Sequence, residues 1–235
     1  MPATLNRRSG TGLQPRTRRR LRFTAAFAAY FVAIWLLWPS PVLYPLKLFV
    51  VLLHEVSHGM AAVLTGGRIE RIVLFAEQGG ATYTRGGNAF LTLSAGYLGS
   101  LLWGLALMLA ARGRARTVRF TLLALSFVVL GVTLAFVRNP FGILFGLLFG
   151  AVLFVAARRL DTPAQAIVLS VLGMTSALYA LLDIRSDVLD RPHLPSDAFM
   201  LGELTGIPTA FWGVFWIVLG LAACALAVTR LYRSA

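Results

Sequence analysis

Along most of its length the chain alternates long, nearly unbroken apolar runs with short polar breaks. The runs fall near residues 22–38, 46–65, 88–111, 118–137, 141–157, 163–183 and 209–231. Most approach the roughly 20 residues a helix needs to cross the hydrocarbon core of a bilayer. Breakers mark their ends. Pro39 and Pro41 close the first run, Pro45 stands just before the second, and Gly66-Gly67 stops it. Thr162-Pro163 is a cap and first-turn pair for the sixth. The pattern predicts an all-α polytopic membrane protein of about seven transmembrane helices, with no internal repeat.

Three segments depart from it. Residues 1–21 are polar and basic and are expected to be a disordered tail. Residues 68–86 have the composition of a small β-hairpin placed after the second span. Arg68–Phe75 reads as a strand, Glu77-Gln78-Gly79-Gly80 as a turn, and Ala81–Thr84 as the return. Residues 184–208 read as a polar loop between the last two spans. Residues 22–235 are therefore expected to form one integral membrane domain.

Composition supports the membrane reading. The chain is 58% hydrophobic and 13% charged, against about 45–50% and about 25% for a soluble domain. So few charges could not cover a water-facing surface. The net charge of +13 would otherwise suggest nucleic acid, but the arginines precede the first run or sit at the ends of later ones. That is the placement of topology signals and anionic-lipid contacts, and nucleic acid is not an expected partner. With seven spans and a cytoplasmic N-terminus, inside segments hold thirteen Lys/Arg and outside segments nine. The seven arginines of the tail decide that balance, so a multi-pass protein of the cell membrane with its N-terminus inside is expected. No small-residue cleavage site follows the first run, and Trp35 and Trp38 suit an interface, so that run is read as a retained span. The single cysteine, Cys224, excludes an internal disulfide and a multi-cysteine metal site.

Chemistry is concentrated in the second span. His54-Glu55-Val56-Ser57-His58 is an HExxH motif, and it holds two of the three histidines in the chain. Residues four apart share a helix face, so both imidazoles can reach one metal ion. Glu55 then lies beside the metal, where it can act as the general acid and base of peptide hydrolysis on a zinc-activated water. The motif is flanked on both sides by apolar residues, and a charge at the middle of a span costs about 3 kcal/mol or more. A zinc site of this kind needs a third ligand and keeps a fourth position for water. Of the nine acidic residues, Asp183 ends an apolar run and is the carboxylate candidate. Asp187, one turn on, could share its face and role. His193, between Pro192 and Pro195, reads as a surface histidine.

An HExxH within a span, a glycine-bounded hairpin at residues 66–84, the small-residue stretch Ser94-Ala95-Gly96-Tyr97-Leu98-Gly99, and the late acidic segments around Asp183 and Ser196-Asp197-Ala198 together resemble the site-2 protease class of intramembrane zinc metalloproteases. More narrowly, the chain resembles its compact peptidase M50B-like branch. The resemblance implies one zinc ion held by His54, His58 and Asp183, with Glu55 catalytic. It also implies cleavage of membrane-spanning or membrane-proximal protein substrates, in the manner of regulated proteolysis. The hairpin is a candidate clamp for an unwound substrate segment, by strand addition. Two other readings use the same residues: an inactive relative that binds metal or transmembrane helices, and a metal or solute transporter. Transport is disfavoured because intramembrane polarity is gathered at one place.

Overall fold

The computed structural model describes residues 40–185, 187–188 and 195–234 continuously, and scattered positions between 17 and 37. Residues 1–16 of the expected tail and His193 lie outside the described residues, as does much of the expected first span. A 3-10 turn, Pro41–Leu43, leads into helix α1 (Tyr44–Leu64), followed by strands β1 (Arg68–Phe75) and β2 (Gly79–Arg85). Six helices complete the order: α2 (Ala89–Ala110), α3 (Ala115–Phe136), α4 (Pro140–Arg159), α5 (Thr162–Arg185), α6 (Asp197–Thr205) and α7 (Thr209–Ser234).

Five helical segments are long and apolar enough to cross a membrane: Pro41–Leu64 and the four helices α2 to α5. These mark a multi-pass membrane protein. Seven spans are not shown among the described residues: the first expected one falls on sparsely described positions, and in α7 the described apolar stretch is Thr209–Ala223. The hairpin follows the first long helix of the described chain.

Local chemistry explains the boundaries. Pro45 occupies the first turn of α1, where no amide donor is needed. At its far end Gly66 takes φ +90, a left-handed turn that glycine adopts without strain. The Asn88 side chain accepts from the Leu91 amide and caps α2. Within the segment expected to be a loop, Ser196 caps α6 in the same way, accepting from the Phe199 amide.

α1 is the central helix. Its apolar window is 72% buried, against 28% for α4. Phe49, Leu52, Leu53 and Val56 of α1 pack with Val118, Leu122 and Leu125 of α3, Leu153 of α4 and Leu172 of α5 in the main core. A second core joins Tyr97 of α2 to Ala198 and Leu201 of α6 and Trp212 and Trp216 of α7. α6 is thereby held against the bundle, and so is whatever its first residue carries.

α2 and α5 meet backbone to backbone. A Cβ added at Gly104 would stand 2.7 Å from the Gly173 carbonyl oxygen, and one at Gly173 would stand 2.7 Å from the Gly104 oxygen. Small residues are what allow such a crossing in a bilayer. Gly104→Val is therefore expected to lower the thermal unfolding midpoint of the detergent-solubilised chain, by a destabilisation of about 1–3 kcal/mol or more. An unchanged midpoint would mean the crossing is not tight.

The hairpin is antiparallel, pairing Ile72 with Thr82, Leu74 with Gly80 and Phe75 with Gly79, with an irregularity between Ile69 and Arg71. Ile69 packs on Gly59 of α1, where a Cβ would collide with it. The strands therefore lie against the helix turn that carries the HExxH motif.

Candidate metal centre

His54, Glu55 and His58 all project from the middle of α1, and the structure brings a carboxylate to the two imidazoles. That carboxylate belongs to Asp197, the first residue of α6. Its Oδ2 lies 2.9 Å from His54 Nε2 and 3.1 Å from His58 Nε2. The three donor atoms lie within 4.8 Å of one another, and among the described residues this is the group of three that could hold a metal ion. Asp183, the expected third ligand, is not in this group. Asp183 and Asp187 line the same cavity, and Asp187 accepts a short hydrogen bond from the Tyr97 hydroxyl.

The donor set suits a cation. His58 Nδ1 stands 2.6 Å from the Thr92 carbonyl oxygen, an acceptor only, so Nδ1 bears the proton and donates. In a neutral imidazole this leaves a lone pair on Nε2, facing a carboxylate oxygen. Two acceptors at that separation repel unless positive charge lies between them. Two nitrogens and one oxygen are also the ligand type zinc favours when a fourth position is left open. Tetrahedral ligands at roughly 2.0–2.1 Å from zinc stand about 3.3 Å apart, close to the spacing observed. Were the imidazoles protonated instead, their charge would outweigh the burial of Asp197 and hold its carboxyl well below the usual carboxylate range.

Packing fixes both rings. The His54 ring meets Tyr97 edge-on, with centroids 5.2 Å apart, and meets His58 at 4.7 Å. Gly96 of α2 leaves the room this requires: a Cβ there would run into the His54 ring and approach Asp197 Oδ2 to 2.6 Å. At Gly96 the helix thus packs on the imidazole–carboxylate cluster itself.

Glu55 is buried and is held by the hairpin. The Thr82 hydroxyl of β2 lies 2.7 Å from Glu55 Oε2 and 2.9 Å from the Glu55 backbone oxygen. Oε1 faces Gly80, where a Cβ would come within 2.6 Å of it. Thr82 and Gly80 were not foreseen as site residues. Both imidazoles, Glu55, Asp197 and the whole of β2 up to Thr84 line one cavity of about 820 Å³.

No curated protein and no solved structure matches the chain significantly. A protein-family model does: the model described as Peptidase M50B-like matches residues 27–227. That match covers most of the chain and all of the elements around the site, so the chain belongs to the peptidase M50B-like family.

Proposed function

We propose that the chain is a zinc endopeptidase that hydrolyses peptide bonds of membrane-spanning or membrane-proximal protein segments. The observation that carries this reading is the meeting of His54 Nε2, His58 Nε2 and Asp197 Oδ2 beside Glu55, in a helix long and apolar enough to cross a membrane. His54, His58 and Asp197 would hold the ion. Zinc, when bound, supplies an acidified water and polarises the carbonyl to be attacked. Thr92 keeps the proton of His58 on Nδ1 and so keeps Nε2 free to bind. Glu55 takes a proton from water at Oε1, the oxygen not engaged by Thr82, and delivers it to the nitrogen of the departing amine.

The hairpin supplies the place for substrate. A peptide bond inside a helix is shielded by its own hydrogen bonds, so a substrate must be extended before attack. An extended segment can pair with a strand edge, and β2 lines the cavity next to Glu55. Clearance at Gly80 is part of this design. Gly80→Ala is expected to displace the Glu55 carboxylate and to lower kcat by roughly 10²-fold while zinc content stays at the wild-type level. Wild-type turnover in Gly80→Ala would remove the hairpin from the account.

The reading as a whole is tested by metal analysis of the purified full chain, with β-casein as an unfolded protein probe. One zinc per chain together with cleavage is expected. A chain that binds zinc and never cleaves would favour an inactive relative instead.

A further inference from the structure

The hairpin has two edges, and they are treated differently. Along the outer edge of β1, the Arg138 amide donates to the Ile72 carbonyl at 3.0 Å. The Asn139 side chain completes the closure. Its Oδ1 accepts from the Leu74 amide at 3.1 Å, and its Nδ2 donates to the Leu74 carbonyl at 2.7 Å. A primary amide carries one acceptor and donors in one plane, so it reproduces what a neighbouring strand would offer Leu74. Residues 137–139, between α3 and α4, thus form a short false strand that ends in a side chain; Val137 makes a parallel bridge with Ile72.

The register carries the consequence to the other side. Ile72 and Leu74 turn their backbone groups away from β2. Their partners Thr82 and Gly80 therefore form non-hydrogen-bonded pairs, and turn their own amides and carbonyls away from β1. Gly79 to Thr84 of β2 line the cavity, and among the described residues no backbone–backbone hydrogen bond from outside the hairpin reaches Gly80 or Thr82. An exposed strand edge accepts whatever extended chain arrives. With the β1 edge filled, the edge left open is the one beside Glu55.

We propose that Asn139 is a positioning residue that sets where substrate binds: by occupying the β1 edge at Leu74, it confines an extended substrate segment to the Gly80–Thr84 edge of β2. This rests on the endopeptidase reading and names the part of the chain that enforces its geometry. Asn139 lies 84 positions beyond Glu55 in the chain and touches neither it nor the imidazoles; it acts through the strand that it closes.

The test is photo-cross-linking to β-casein with the purified, zinc-loaded full chain, in a Glu55→Gln background so that the probe stays intact. A benzophenone amino acid replaces Tyr83 on β2 in one protein and Phe75 on β1 in another; both side chains are exposed aromatics. With Asn139 present, cross-links are expected chiefly from position 83. In Asn139→Ala, the ratio of position 83 to position 75 cross-links should fall by roughly fivefold or more, as the two bonds to Leu74 are lost. Asn139→Asp keeps the acceptor for the Leu74 amide but not the donor, and should fall between. An unchanged ratio in Asn139→Ala overturns the proposal. Loss of both cross-links together, with zinc retained, also overturns it, because a merely structural residue would behave so. Failure of the endopeptidase reading is separate: it would appear as absent zinc or absent cleavage in the wild-type chain, with the cross-link ratio still readable.

Discussion

Asp197→Ala is expected to empty the metal centre. Asp197 Oδ2 stands 2.9 Å and 3.1 Å from the two imidazole nitrogens, and it is the carboxylate within ligand reach of both. Two histidines alone leave zinc with half of a tetrahedral set. Zinc affinity, measured by competition with a chelating dye, should therefore fall by more than the roughly 10–100-fold that a change outside the ligand shell costs. Asp183→Ala should stay within that smaller range, since Asp183 lines the cavity without joining the cluster. The reverse pattern would return the ligand role to Asp183. Cleavage should follow zinc, lost in Asp197→Ala even when the protein remains folded.

Glu55→Gln should separate metal binding from chemistry. The amide is nearly isosteric with the carboxylate and can still receive the Thr82 hydroxyl, so the hairpin should keep its seat on α1. An amide cannot take a proton from water at neutral pH. General acid–base catalysis is worth roughly 10²–10⁴-fold, and kcat for β-casein should fall by about that much with zinc content unchanged. A fall in zinc alongside kcat would mean that Glu55 supports the ion rather than the proton transfer.

The parts of this site that were legible in the sequence are those whose logic is local. The spacing of His54 and His58 places both rings on one helix face, and their apolar surroundings make an accidental origin costly. The hairpin was legible because Gly79-Gly80 punctuates two runs of strand character, and strands form at Arg68–Phe75 and Gly79–Arg85. In the sequence Asp183 stands out because it ends an apolar run, whereas Asp197 lies in a polar segment. The carboxylate that meets the two imidazoles is delivered instead by a nine-residue helix in the segment taken for a loop. A local signal for that helix existed, since Ser196 followed by an acidic residue is a helix start. No local signal says that this start lies over α1. That follows from tertiary packing, with Ala198 and Leu201 seated among Tyr97, Trp212 and Trp216. Gly80 and Gly96 escaped for the same reason: the need for glycine arises from Glu55 and His54 arriving from another element. Asn139 precedes a proline at a helix start, as many asparagines do, and its partner strand lies 65 residues away.

The most direct measurement of the central claim is the rate of β-casein cleavage by the purified full chain before chelation, after chelation, and after return of one equivalent of zinc. Activity, then none, then activity again is expected, with Glu55→Gln slower by roughly 10²–10⁴-fold whenever zinc is present. Cleavage that persists after zinc has been removed, or that runs at the wild-type rate in zinc-loaded Glu55→Gln, would contradict this reading.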